Sequence, residues 1–168
     1  NQARPRTPEI VARLAALMIQ LELQTVSARR LVAELTLNLQ QLGSPSIRSD
    51  LENVLGLASI ASEEYAEAAN HFEAAVNAYN SNSSARFNAA TLRFLSQQYQ
   101  DAEDRFAQIS NLPEASLMRA RSAIARAVFE KDAHGFARAD RALDALIDSG
   151  QANFRQEVFV LSAWTALK

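Results

Sequence analysis

Residues 65–75 read YAEAANHFEAA and residues 99–109 read YQDAEDRFAQI. Set one under the other, Tyr65 meets Tyr99, Ala68 meets Ala102, Phe72 meets Phe106 and Ala75 meets Ile109, each pair 34 positions apart. Within each segment these residues recur three or four apart, which places them on one face of an α-helix. The match continues upstream, where Leu55 and Gly56 answer to Ala89 and Ala90. Gly56 and Ala90 are small where a first helix must nearly touch the second, and Ala68 and Ala102 are small on the opposing side. Phe72 and Phe106 are the large residues that fill the space between one hairpin and the next, and the tyrosines cover the turn. A third copy is looser: Ala139, Leu143 and Leu146 keep the spacing, but Ala139 lies 37 after Ala102. About three residues are therefore gained near the turn from Lys131 to Gly135.

Composition supports a helical reading throughout. Of 168 residues 32 are Ala, against 4 Gly and 4 Pro, so helix formers abound and turn formers are few. With 48% hydrophobic and 21% charged residues the chain can bury a core and does not read as disordered. The formal charge of −2 gives no electrostatic footprint for a nucleic-acid backbone. Cysteine is absent, which removes disulfides, thiolate metal sites and thiol nucleophiles. The apolar stretch from Leu14 to Leu23 is short and interrupted by Gln20 and Glu22, so no membrane insertion is expected. The sequence begins at Asn1 and reads as a piece of a longer protein; cytoplasmic and bacterial periplasmic settings both stay open.

The remaining helices follow from start and stop signals. Thr7-Pro8-Glu9 opens a first helix, and a second carries Leu31, Leu35, Leu39 and Leu42 up to a stop at Gly43 and Pro45. This pair, over residues 8–42, fits the repeat poorly. Ser49-Asp50-Leu51-Glu52 reads as a capping box that starts the next helix. Units at 49–82, 83–116 and 117–150 follow, then a terminal helix over 153–167, about nine helices in all. That last helix is apolar on several sides, with Phe159 and Trp164 away from the face of Phe154, Val158 and Leu161. A terminal helix should show water a polar face. Phe159 and Trp164 are therefore expected to meet further chain, a second copy or a partner.

The unit of 34 residues, with small residues where its helices cross, resembles the tetratricopeptide repeat. The resemblance covers residues 49–116 best, extends to about 150, and lacks the large aromatic early in the first helix and the proline at the end of the second; Glu52, Arg86, Asn80 and Glu114 stand there. It implies an all-α, right-handed superhelical array of antiparallel hairpins whose first helices line a concave groove. Such arrays bind a peptide or partner helix, commonly within a scaffold or assembly factor. The resemblance places Asn53, Leu57 and Ile60 in the groove from one repeat, and Asn88, Thr91, Phe94 and Leu95, with Arg93 an alternative, from the next. Some relatives clamp a terminal carboxylate with Lys, Asn and Arg from successive first helices. Here only Asn88 matches, while Asn53, Leu57, Met118 and Ser122 replace the rest, so that clamp is absent. Arg119, Arg121 and Arg126 remain as other groups for an acid.

Nothing in the sequence calls for catalysis. His71 and His134 are the only histidines and read as solvated or capping groups rather than metal ligands. Glu63-Glu64 and Asp101, Glu103 and Asp104 open second helices, where carboxylates suit the positive end of the helix dipole. No phosphate loop or nucleophile elbow occurs, and no cofactor is expected. Asn82-Ser83-Ser84 matches a glycosylation acceptor of low specificity. The expected role is binding of a protein or peptide, with self-association as the alternative.

Overall fold

The computed structural model describes residues 44–148 and residue 161. Among them the chain forms six α-helices and no strand: α1 Pro45–Ala61, α2 Tyr65–Ala78, α3 Ser83–Leu95, α4 Tyr99–Ala107, α5 Pro113–Phe129 and α6 Gly135–Asp148. The expected hairpin at 8–42 and the terminal helix, Phe159 and Trp164 included, lie outside the described residues, Leu161 excepted. The chain divides into two compact units, residues 1–85 and 86–168.

In the first unit α1 starts one turn earlier than its capping-box signal implies. Ser44 is extended at the N-cap, and Pro45 takes the first helical position, where its fixed φ fits and its missing N–H leaves nothing orphaned. Ser49 is wholly buried inside the helix, and its hydroxyl donates to the Ala75 carbonyl at 2.7 Å. Glu52 reaches across to His71 Nδ1 at 2.7 Å instead of back to a backbone N–H. His71 is thus half-buried and paired, not solvated. Beyond these contacts, a Cβ added to Gly56 would stand 2.5 Å from Phe72 Cε1, so the backbone of α1 rests on the Phe72 ring. The contacts Ser49–Ala75, Glu52–His71 and Gly56–Phe72 run in opposite order along the two helices, which makes the hairpin antiparallel. Burying a ring such as Phe72, 2% exposed, is worth about 1.5–3 kcal/mol. Asn82 completes the unit: its amide donates to Ser49 Oγ and Asp50 Oδ1, and its carbonyl oxygen accepts the Ala85 N–H at 3.1 Å. That last bond caps the first turn of α3. It also engages the side chain of the glycosylation-like tripeptide within the fold.

The second unit repeats the hairpin twice. Ala90, Ala102, Phe106, Ile109 and Ala115 form one buried cluster, with Phe87 tilted against Phe106 at 5.5 Å between ring centres. Leu117, Ala120, Ala123 and Ile124 of α5 pack with Ala139, Ala142, Leu143 and Leu146 of α6, and Phe136 and Leu161 lie against them. Gly135 opens α6 where a Cβ would stand 2.6 Å from the Ala123 carbonyl oxygen. Pro113 starts α5 as Pro45 starts α1, so both helices have 17 residues, whereas α3 has 13 and begins at Ser83.

The turns carry the repeat in the backbone. Ser62, Glu63 and Glu64 donate their N–H groups to Ala58, Ile60 and Ser59; 34 positions on, Ser96, Gln97 and Gln98 donate to Leu92, Phe94 and Arg93. Glu130 to Arg126 continues the series. The three extra residues of the third hairpin follow Lys131, which is where the shift from 34 to 37 places them.

Candidate functional site

Asn53, Leu57 and Ile60 fall at i, i+4 and i+7 on one face of α1, each half-buried. Asn88, Thr91 and Leu95 fall at i, i+3 and i+7 of α3, the first two half-buried and Leu95 exposed. Their chemistry differs. The Thr91 hydroxyl donates to the Phe87 carbonyl at 2.9 Å and so serves its own helix. Phe94 packs against the α3–α4 core and meets the Tyr99 ring edge-on at 5.5 Å. Leu95, the last residue of α3, is 63% exposed. Of the groups named for a terminal-carboxylate clamp, Ser122 is buried and donates to the Met118 carbonyl at 2.8 Å.

Two arrangements were not read from the sequence. The first is a ladder of rings. Tyr99 stacks on Phe129 at 5.8 Å and 22° between planes, and also meets Phe94 edge-on. Phe129, the last residue of α5, is 71% exposed. It lies 34 positions after Leu95, so carrying the repeat forward once more would have found it. Of these rings Tyr99 also lines an open depression of about 440 Å3, together with Gln98, Gln100, Asp101, Asp104 and Glu130. Asp101 receives Arg93 and Arg105 at 3.3 and 3.0 Å, and Glu130 receives Arg126 at 3.4 Å.

The second is a closed charge network. Glu103, read from the sequence only as a carboxylate suited to the helix dipole, is 4% exposed. Its two carboxylate oxygens accept from Arg126 at 2.9 Å and from Arg138 at 2.7 Å. Both arginines also reach Asp132 in the enlarged turn, Arg126 at 3.1 Å. The hydrogen bond from Arg138, then the His134 backbone N–H, pull the Asp132 carboxyl from 3.8 down to about 2, against a smaller opposing effect of burial. Asp132 in turn raises the Arg138 guanidinium above its ordinary value. The network ties α4, α5 and α6 together and leaves Arg126 engaged rather than open to a ligand's acid. Arg119 differs: its buried Nε has no hydrogen-bond partner among the described residues.

Among the described residues no three His, Asp or Glu side chains gather as metal ligands, and no helix is long and apolar enough to cross a membrane. No protein-family model, curated protein or solved structure matches the chain.

Proposed function

We propose that the chain is a protein-interaction module of the tetratricopeptide-like class, built of hairpins whose first helices bind a peptide or partner helix. The role that fits is a scaffold or assembly factor. One observation carries this reading: Leu95 and Phe129 close consecutive first helices at the same repeat position, and both are left in water, 63% and 71% exposed. Single exposed apolar residues are ordinary, but folding gives no reason for large ones to recur at one position of a repeat. Recurring apolar exposure marks a contact surface.

The test is site-specific photo-crosslinking from position 95, together with partner recovery by Leu95→Ser/Phe129→Ser. Both side chains are largely exposed, so the variant should fold. A partner adduct at position 95 that the double variant no longer recovers supports the reading. Recovery unchanged from wild type would overturn it. If the adduct is a second copy of the chain, and light scattering shows a dimer persisting on dilution, self-association replaces it.

A further inference from the structure

We infer that the depression beside Tyr99 and Phe129 receives an arginine side chain of a partner protein. This rests on the interaction reading above and names the chemistry of its partner. The platform is aromatic: Tyr99 lines the depression, and Phe129, 71% exposed, stacks on that ring nearly parallel and extends it. The faces of such rings carry negative potential and attract a cation within about 6 Å of the ring centre. The walls agree in sign. Asp101, Asp104 and Glu130 line the depression with Gln98 and Gln100, and no Lys, Arg or His does so.

Asp101 and Glu130 already meet arginines of this chain, yet their side chains remain 46% and 41% exposed. Asp104 is exposed and pairs with no cation among the described residues, so its charge is available. An acidic partner would face these carboxylates with nothing to neutralise it. A purely apolar one would desolvate them without return. A guanidinium meets both requirements at once, since its plane stacks on a ring while its edge donates to a carboxylate. Lysine offers the charge without the plane. The open volume of about 440 Å3 has room for the side chain.

The experiment uses the full chain and a short fluorescent peptide alternating Arg and Ser, read by anisotropy. Matched peptides carry Lys, or neutral citrulline, in place of Arg. The Arg peptide should bind, the Lys peptide several-fold more weakly, and the citrulline peptide at least about tenfold more weakly. Phe129→Ser should weaken the Arg peptide about tenfold. Asp104→Asn should weaken it several-fold and flatten its salt dependence. Circular dichroism melts of both variants check that the fold is kept. The inference is overturned if citrulline binds as well as Arg, if either variant binds like wild type, or if no Arg peptide binds. It also fails if Phe129→Ser abolishes a wild-type dimer, because the occupant is then a second copy. A crosslinked partner at position 95 with no arginine at the contact would sink this inference while leaving the proposed function standing.

Discussion

Glu63 and Gln97 hold the same left-handed backbone conformation, φ 62° and 61°, at positions 34 apart in the chain. Lys131 follows 34 later at φ 55°. Each lies in the turn after a first helix, and none is glycine. Their side chains are long and polar but differ in charge, and nothing in that chemistry calls for a left-handed backbone, which is why the backbone repeat is more regular than the sequence repeat.

Relieving that conformation should stabilise the protein. A non-glycine residue in the left-handed region carries about 1–2 kcal/mol of strain, partly offset in a glycine variant by its freer unfolded chain. Gln97→Gly is expected to gain about 0.5–1 kcal/mol, read as a higher unfolding midpoint, with the Gln97 N–H to Phe94 bond retained. A lowered midpoint would show that the side chain matters more than the turn.

Glycines at the crossings should resist a methyl group. In Gly56→Ala the new carbon meets the buried Phe72 ring at 2.5 Å, and overpacking of about 1–3 kcal/mol opposes the roughly 1 kcal/mol gained in helix propensity. Gly135→Ala meets the backbone of Ala123 and Ala127, which cannot turn aside as a ring can, so its loss should be the larger. Urea unfolding of the two variants ranks them; equal or reversed losses contradict the packing described.

Breaking the Glu103 network on one side should be severe. Glu103→Ala leaves Arg126 and Arg138 without their most buried acceptor, a change typical of losses of about 3–5 kcal/mol. Replacing Glu103, Arg126 and Arg138 together by Met, with Asp132→Asn to remove the carboxylate that both arginines also reach, should restore much of it, because no charge of the network is then stranded. Denaturant midpoints of the single and combined variants decide between a network that stabilises and one that merely satisfies itself.

Asp132 sets a pH window. Its folded value near 2 lies below its ordinary 3.8, so the proton binds the unfolded chain first on acidification. The stability it contributes is whole above the ordinary value and is lost as pH falls through the folded one. Wild type and Asp132→Asn should differ by a constant amount from neutral pH to about 5 and converge between about 4 and 2. A gap that closes near neutral pH would assign the effect to another group.

How far the sequence could be read depends on what each feature leaves in the residue pattern. The 34-residue spacing, the need for a small residue at Gly56 and the place of the third-hairpin insertion were legible, because burial dictates size and apolarity at those positions. That Gly56 meets Phe72 was not, since Phe72 read as filling the space to the next hairpin. Ser49 misled: serine followed by glutamate three residues on satisfies a capping rule, and only the Ala75 carbonyl opposite shows the hydroxyl working between helices. Glu103 was illegible for another reason. Its partners lie 23 and 35 residues away, one of them beyond an insertion, so no periodicity announces them. The Tyr99–Phe129 stack joins residues 30 apart and escaped for the same cause.

The enlarged turn after Lys131 has a bearing on which changes of length this chain can bear. Three residues inserted within a helix would turn everything beyond them by a net offset of about 60° and advance it by about 4.5 Å, taking Leu143 and Leu146 out of register with the α5 residues they pack against. Set after the left-handed residue, the same three leave the apolar face of α6 where it was and cost only a little loop entropy. They also supply Asp132. The segments just past Glu63, Gln97 and Lys131 are thus the joints at which homologous chains should first be found to differ in length, and where a foreign segment can be grafted with the hairpins intact.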